Sequence, residues 1–189
     1  AARGGDRGQR LAPVLGPAQT ISLGDAVAAP TLTWTTGGST VWAGQTNVTF
    51  DTQDAAGSGV ITDNQESWLE TSVTGPSVIS FRWKVSSESG YDFLQCYTNG
   101  VLAVAGISGE VDWQPVQFFV GPGLHAVRWR YVKDVSLLSG QDRGWVDQVS
   151  LVSADPFITT APVTQFKNTG DSVSFAGAAA GTATFAYQW

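Results

Sequence analysis

The chain has 189 residues, 14% charged residues, a formal net charge of −6 and a single Cys. This acidic balance argues against nucleic-acid binding, which needs clustered Lys and Arg, and disfavours a polyanionic partner. One Cys excludes an internal disulfide framework, and no run of residues is long and apolar enough for membrane insertion. Abundant Gly, Thr, Ser and Val with few helix formers indicate an all-β protein.

Residues 1–30 are predicted to form a flexible N-terminal arm, with a short strand at residues 20–23. This region is rich in Gly, Ala, Pro and Arg, and its beginning lacks the apolar core of a signal peptide. The chain contains no Met, so we expect it to be a processed product or an excerpt of a longer protein.

Residues 31–153 are predicted to form an antiparallel jelly-roll β-sandwich. Residues 78–86 alternate between apolar and polar side chains, which predicts a strand with one buried face. Asn99-Gly100 is the strongest hairpin signal in the chain. Strands separated by turn residues every 8–12 residues or so are typical of such sandwiches. The strands predicted in this region cover residues 31–35, 47–50, 59–62, 67–74, 78–86, 91–98, 101–107, 113–120, 124–133 and 144–152.

Two further segments predict turns between separate strands. Gly75-Pro76 follows the predicted strand at residues 67–74, and residues 121–123, Gly-Pro-Gly, precede the predicted strand at residues 124–133. Gly and Pro together are strong turn signals. We therefore expect the chain to reverse direction at both places.

Residues 154–189 are predicted to hold the first strands of a second domain. The segment GDSVSF, residues 170–175, resembles the B strand of an immunoglobulin-like domain, and YQW, residues 187–189, resembles its C strand with the core Trp. Phe175 stands near the position of the usual B-strand Cys, so the resemblance implies a partial, disulfide-free β-sandwich. The open β-edges of such a half domain invite strand addition from a neighbouring chain.

The sandwich region resembles a module of large exported bacterial proteins that often precedes immunoglobulin-like domains. The matching segments are GSGVITDNQESWLETSVTGPSVISFRWKVSSESGYDFLQCYTNG, ISGEVDWQPVQF, GLHAVRWRYVKD and GQDRGWVDQVSL. Their order also resembles MAM domains, which are jelly-roll sandwiches used mostly in adhesion, although the MAM cysteines are missing. The resemblance implies a module of a larger secreted protein, of bacterial origin, with an extracellular or cell-surface location.

The chain offers no residue set that identifies an enzyme. Nucleophilic catalysis needs a base beside the nucleophile, but the single His125 and the single Cys96 are both expected on buried strand faces. Two such residues are too few for a zinc site. Sixteen acidic residues form many pairs, and no pair stands out for glycoside hydrolysis. We therefore predict a non-catalytic protein.

One acidic residue is placed unusually in the last predicted strand. Asp147 has the same parity as Trp145, Val149 and Leu151, which predicts one shared face. A carboxylate among apolar neighbours needs a partner, because burying an unpaired charge is costly.

Two partners for this carboxylate stay open. The first is a structural Ca²⁺ ion, which prefers carboxylate and carbonyl oxygens, with Asp51 and Asp54 supplying further ligands beside Asp147. The resemblance to jelly-roll binding modules favours this ion. The second is a set of backbone N–H donors, or an ion pair with Arg143 or Arg128.

Two polar loops, SSESGYD at residues 86–92 and KDVSLLSGQDRG at residues 133–144, are expected at one end of the sandwich. There they would form a pocket for a polysaccharide or a cell-surface glycan, because carboxylates and amides bind sugar hydroxyls and aromatic rings contact the apolar sugar face. The alternative is that the loops are simply solvated and that most Trp belong to the core. The predicted ligand-binding residues are Glu88, Tyr91, Asp92, Asp134, Gln141, Asp142 and Arg143, with Trp42 and Trp68 as aromatic platforms.

Two functions follow from these predictions. One is an adhesion or carbohydrate-binding module. The other is a structural subunit of an extracellular filament or surface assembly that self-associates by strand addition at open β-edges.

Overall fold

The structure, a computed structural model, describes residues 20–181, 185, 186 and 188. Within these residues the regular structure is ten β-strands and one short helix, which confirms the all-β prediction. Most of the predicted N-terminal arm, and Tyr187 and Trp189 of the predicted C strand, lie outside the described residues. No helix of the described part is long and apolar enough to span a membrane.

The elements follow one another in this order along the chain. Helix α1 covers Leu23–Ala26, and the strands are β1 (Trp34–Gly38), β2 (Ala43–Gln45), β3 (Ala55–Gly57), β4 (Glu66–Ser86), β5 (Phe93–Thr98), β6 (Val101–Ile107), β7 (Glu110–Val132), β8 (Arg143–Ser153), β9 (Phe157–Thr160) and β10 (Ala178–Ala180).

Helix α1 replaces the strand predicted at residues 20–23. The side chain of Ser22 caps the helix by accepting the backbone N–H of Asp25 at 3.1 Å. The strand prediction was wrong because this cap satisfies a helical N–H that a strand would pair with a neighbour.

Strands β4 and β7 form a long antiparallel ribbon in which residues 66–86 pair with residues 110–132. The predicted turns at Gly75-Pro76 and at residues 121–123 are wrong, because these segments lie opposite each other at a register shift within the ribbon. A Cβ on Gly75 would overlap the carbonyl oxygen of Gly121, so only Gly permits the close approach there. The Gly and Pro residues therefore mark a bulge and not two chain reversals.

The bulge divides the ribbon between two sheets. The first sheet consists of β1, the first half of β4, the second half of β7, β5 and β6. The second sheet consists of β2, β3, β8, the second half of β4 and the first half of β7. The ribbon thus folds over at the bulge, so the loops after β4 and after β7 come to the same end of an antiparallel β-sandwich.

The core lies between the two sheets. Val127 and Trp129 of the first sheet and Phe81 and Trp83 of the second are buried in one cluster. The rings of Phe81 and Trp129 meet edge to face across the sandwich, with centroids 5.2 Å apart at 87°. The period-two pattern predicted over residues 78–86 is confirmed.

The hairpin predicted at Asn99-Gly100 is also confirmed. Thr98 pairs with Val101 across it. Asn99 and Gly100 both have positive φ, of 50° and 79°, as a two-residue β-hairpin turn requires.

The chain after the sandwich is mostly without strand pairing. Strands β9 and β10 form a two-stranded antiparallel sheet, but residues 170–175, the predicted B strand, form no strand, because no other described segment pairs with them. The side chains of residues 161–176 are exposed, and Phe166 is 92% exposed. The immunoglobulin-like domain and the domain boundary at residue 154 stay predictions.

Candidate functional site

The outer face of the first sheet carries a row of charged and aromatic side chains. Alternation along β4 buries Leu69 and Thr71 in the core and turns Glu66, Trp68 and Glu70 outward. Arginines on β7 have the matching outward parity, because β4 and β7 are neighbours in register. The sequence letters ESWLE and RWR thus build one mixed surface, which we call the ladder face.

Two ion pairs cross between the strands on the ladder face. The Nε of Arg128 lies 2.7 Å from Oε2 of Glu70, and the Nε of Arg130 lies 2.5 Å from Oε2 of Glu66. All four side chains are partly exposed, so each pair contributes at most about 1 kcal/mol to stability. Their main effect is to hold the two guanidinium groups in fixed positions.

Trp68 lies between the backbone of β1 and one of these arginines. The guanidinium carbon of Arg128 is 4.2 Å from the centre of the Trp68 ring, a cation–π contact. A Cβ on Gly37 would come within 2.5 Å of Cζ2 of Trp68, so Gly is needed for this packing. The predicted platform does lie on an accessible face, but Arg128 already covers part of its ring.

Strand β5 closes the other side of a groove on the ladder face. Gln95 links the two sides, because its Oε1 accepts the hydroxyl of Tyr97 at 2.9 Å and an N–H of Arg130 at 3.3 Å. The groove has a volume of about 410 Å³. It is lined by Glu66, Glu70, Tyr97, Asn99, Gly100, Ala126, Arg128 and Arg130.

The two polar loops meet at one end of the sandwich, as predicted, but their carboxylates point inward. The ammonium of Lys133 is fully buried and lies 2.7 Å from both Asp92 and Asp142. It also donates to the carbonyl oxygen of Leu137 at 3.0 Å. Burial lowers the pKa of Lys133, but the hydrogen bonds with Asp142 and Asp92 outweigh it and raise that pKa. Asp92 and Asp142 therefore form a buried ion cluster, and their prediction as sugar ligands was wrong.

The other predicted loop residues are divided between different surroundings. Tyr91 is 60% exposed and Gln141 is exposed, so a ligand-binding role for these two side chains stays a prediction. The guanidinium of Arg143 donates to the carbonyl oxygen of Ser58 at 2.9 and 2.6 Å, so it braces the chain after β3.

Glu88, Asp92 and Asp134 are the one acidic group of the described chain whose oxygens all lie within 4.8 Å of one another. Partial burial raises the pKa of Glu88, and Asp134 and Asp92 raise it further. These oxygens are of the kind that Ca²⁺ binds. The ammonium of Lys133 already neutralises Asp92, however, so the charge offered to a cation is reduced.

The predicted calcium ligands Asp51, Asp54 and Asp147 form no such converging group among the described residues. Both oxygens of Asp147 are occupied, because Oδ2 accepts the N–H of Phe50 at 3.0 Å and Oδ1 accepts the N–H of Gln148 at 2.7 Å. These residues do not fit a calcium site. The alternative partner set, backbone N–H donors, is confirmed.

The shared face predicted around Asp147 was wrong as well. Gln148 has φ 50° and lies in a bulge where the register of β8 against β4 shifts. Val146 and Val149 belong to the core cluster, whereas Trp145 does not, and Asp147 accepts the N–H of Phe50 from the segment before β3. Burial is the main cause that raises the pKa of Asp147, and the two backbone N–H donors partly offset it.

Trp42 is not a platform. Its side chain is 2% exposed and belongs to the core cluster, so its ring faces cannot contact a sugar. The prediction failed because the strand before it, β1, ends at Gly38 and the chain turns Trp42 inward.

His125 and Cys96 are both held by structural contacts. The ring of His125 lies 3.1 Å from Nδ2 of Asn99 and 2.9 Å from the carbonyl oxygen of Gly121. The thiol of Cys96 is buried, and burial raises its pKa far above the ordinary value. A thiol with a raised pKa is a poor nucleophile.

The comparisons with known proteins give only distant likenesses. No protein-family model matches the chain, and no curated protein matches it. The secreted serine protease VesC from Vibrio cholerae is 16% identical with a TM-score of 0.49, covering 61% of this chain and 25% of VesC.

Two further solved structures show a similarly distant likeness. The CBM22-1 xylan-binding domain of Xyn10C from Paenibacillus barcinonensis is 16% identical with a TM-score of 0.45, covering 64% of this chain and 86% of that domain. TmCBM61, solved in complex with β-1,4-galactotriose, is 13% identical with a TM-score of 0.40, covering 63% and 87%. These likenesses are too distant to assign the chain to a family.

Proposed function

We propose that the chain is a non-catalytic carbohydrate-binding module and that the ladder face is its binding surface. One observation carries this proposal: two fixed carboxylate–guanidinium pairs and Tyr97 line one accessible groove, and the guanidinium of Arg128 in that groove rests on the ring of Trp68. The extracellular location and the role within a larger secreted protein belong to the same proposal, supported by the sequence resemblance.

The groove has the chemistry that sugars need. Glu66 and Glu70 accept hydroxyl protons, and the arginines donate to hydroxyl and ring oxygens. Tyr97 supplies an aromatic ring whose hydroxyl is held by Gln95. Because the pairs are already formed, less side-chain freedom is lost when a ligand binds. The volume of about 410 Å³ lies within the usual range for small-ligand sites.

The arginine charges on this face are matched by carboxylates, which favours a neutral glycan. Within the described part of the chain, Arg128 donates a hydrogen bond only through Nε, to Glu70. Its terminal N–H groups are therefore available to a ligand, whereas its net charge is balanced.

The test is affinity electrophoresis against a panel of soluble neutral polysaccharides, followed by calorimetry on those that retard the chain. We expect Arg128→Ala and Tyr97→Ala to abolish the retardation. Lys84→Ala, on the second sheet, is the matched control and should leave it unchanged. If no polysaccharide retards the parent, or if the ladder-face variants bind like the parent, the proposal is wrong.

A second function, self-association into an assembly, has its own supporting observation. Beyond the sandwich, Ile158 on β9 is 64% exposed, and Val163 and Phe166 in the chain after β9 are exposed as well. Exposed strand edges with apolar side chains favour strand addition by a second copy. Light scattering and negative-stain microscopy of the chain and of a variant ending at residue 155 should show oligomers only for the longer form. Monomers in both samples would remove this second function.

A further inference from the structure

A second groove lies on the outer face of the second sheet, away from the ladder face. It has a volume of about 650 Å³. Its polar lining comes from β4, β7 and β8 and consists of Ser80, Arg82, Gln117, Gln148 and Ser150. Every one of these side chains offers a hydrogen-bond donor, and none is acidic.

Arg82 differs from the arginines of the ladder face because it has no carboxylate partner among the described residues. Its guanidinium carbon lies 4.5 Å from the ring centre of Phe50, and the described chain gives it no ion pair or side-chain hydrogen bond. Its neighbour Lys84, by contrast, is paired with Asp112 at 2.7 Å. A partly exposed guanidinium with all its N–H donors unpaired is a strong site for an oxyanion.

The groove is held in shape by the bulge in β8. Gln148 has φ 50°, a conformation that is uncommon for a residue other than Gly. The buried carboxylate of Asp147 fixes it by accepting the N–H groups of Gln148 and Phe50. The same carboxylate therefore positions both the amide at one wall and the ring that stacks on Arg82. Bulges of this kind often re-aim a side chain beside a binding site.

We propose that this groove binds the carboxylate of a uronate residue within a mostly neutral glycan. Arg82 binds the carboxylate through two parallel N–H···O bonds. The amides of Gln117 and Gln148 bind the adjacent sugar hydroxyls. Ser80 and Ser150, whose hydroxyl oxygens are 2.8 Å apart, form the polar floor.

The charge distribution selects a single uronate over a polyuronate. The chain has a net charge of −6, so a long polyanion is repelled. A single carboxylate responds mainly to charges within a Debye length of about 8 Å at physiological salt. The charged groups near Arg82 include Lys84, which is already paired with Asp112, and the covered Asp147 on the neighbouring strand. Asp51 and Asp54 are close enough to Asp147 to raise its pKa, so they add negative charge near this groove.

This inference goes beyond the proposed function, because it concerns the other sheet and an acidic ligand. The probe is cellobiouronic acid, and the matched neutral ligand is cellobiose, which has a hydroxymethyl group in place of the carboxylate. Titrations are followed by ¹H–¹⁵N NMR. We expect cellobiouronate to shift the Nε–H of Arg82 and the side-chain amides of Gln117 and Gln148. We expect cellobiose to bind this groove at least about tenfold more weakly.

Variants separate the groove from the ladder face. Arg82→Gln should weaken cellobiouronate binding at least about tenfold, and Arg82→Lys should also weaken it because the bidentate geometry is lost. Lys84→Gln on the same face and Arg128→Ala on the ladder face should keep affinity within about twofold of the parent. Each NMR spectrum also reports whether the variant is folded.

Several results would overturn the inference. Equal binding of cellobiose and cellobiouronate would remove the role of the carboxylate. Shifts confined to the ladder face, or an Arg82→Gln variant that binds like the parent, would remove this groove as the site. Tighter binding of glucose 6-sulfate than of glucuronate would replace the uronate with a sulfate ester. By contrast, an Arg128→Ala variant that loses neutral-glycan binding but keeps cellobiouronate binding would support two separate binding sites.

Discussion

The chain contains two kinds of ion pair that use the same residue types in opposite surroundings. At the end of the sandwich, Lys133 is buried between Asp92 and Asp142 with no exposed surface on its ammonium side chain. On the ladder face, Arg128 and Glu70 form a pair of similar length that stays in contact with solvent. Distance alone therefore does not distinguish a structural pair from an available one.

Solvent access decides what each pair does. In the buried cluster every carboxylate is committed to Lys133 or to a backbone N–H, such as that of Asp134 at 2.9 Å from Asp92. Removing one member there leaves a charge without water or partner. On the ladder face water replaces a lost partner, so the pair is free to exchange it for a ligand.

The largest expected effect comes from breaking the buried cluster. Lys133→Met leaves Asp92 and Asp142 unpaired in the interior, so we expect the free energy of unfolding to fall by roughly 3–5 kcal/mol. Urea denaturation followed by Trp fluorescence measures this loss. The control is Lys84→Met, which breaks an exposed pair and should cost less than about 1 kcal/mol.

The pH dependence of the same variant gives a second measurement. The pKa of Lys133 is raised above its ordinary value of 10.5, so the folded state holds this proton more tightly than the unfolded state. Its stabilising contribution is therefore fully present below 10.5 and is lost as the pH rises through the raised pKa. The stability difference between the parent and Lys133→Met should therefore shrink as the pH rises through that alkaline range. A difference that already disappears at neutral pH would contradict the buried pairing.

Trp83 in the core and Trp68 on the ladder face should differ in how much each contributes to stability. Trp83→Ala opens a cavity beside Phe81, whose ring is 5.6 Å away, and should cost roughly 3–5 kcal/mol. Trp68→Ala, on the ladder face, should cost clearly less, because water fills the space. Thermal melts of the two variants compare them directly. If Trp83→Ala melts like the parent, the assignment of the inward face of β4 is wrong.

We expect an intermediate loss of stability at Asp147, which is buried and accepts hydrogen bonds only from backbone N–H groups. Asp147→Asn places an amide N–H₂ against one of these donors and should cost about 1–3 kcal/mol at neutral pH. The loss should be the same with Ca²⁺ and with a chelator. A larger loss in Ca²⁺ alone would restore the metal interpretation.

Burial of Asp147 determines how its contribution to the stability of the fold changes with pH. The pKa of Asp147 is raised above 3.8, so the folded state takes up this proton before the unfolded state. The parent should therefore gain stability relative to Asp147→Asn as the pH falls through the raised pKa. Denaturation at a series of acidic pH values tests the direction.

The sequence predicted the layers of the fold better than the path of the chain between them. Period-two burial over residues 78–86 was sufficient to place one strand and its inward face. The turn predicted at Gly75-Pro76 was wrong, because Gly and Pro occur both where a chain reverses direction and where a strand bulges. The opposite strand decides whether a turn or a bulge forms. Here residues 121–123 of β7 lie directly opposite Gly75-Pro76, at the register shift of the β4–β7 ribbon. Local sequence propensity cannot predict that these two distant segments pair with each other.

The candidate site was predicted only at Trp68. Glu66, Glu70, Arg128 and Arg130 were missed because charged residues were sought in loops. Their alternation with core residues on β4 and β7 carried the signal, but the pairing of the two strands was needed to show that opposite charges meet. The buried Lys133 was missed for a different reason: nothing local to a Lys after a strand predicts that two carboxylates from distant loops will surround it.

The smallest expected change in stability is also the one that says most about function. Arg128→Ala, Glu70→Gln and the double variant form a cycle whose coupling energy for unfolding should be below about 1 kcal/mol, because the pair is solvated. Binding of a neutral glycan should behave differently, since Arg128→Ala removes both the donor and the stack on Trp68, whereas Glu70→Gln keeps an acceptor and the stack. We therefore expect Arg128→Ala to lose binding and Glu70→Gln to keep part of it, measured by calorimetry at fixed ionic strength. A coupling energy of several kcal/mol, with binding unchanged in both variants, would make the ladder face a structural cluster like that of Lys133 and remove the contrast between them.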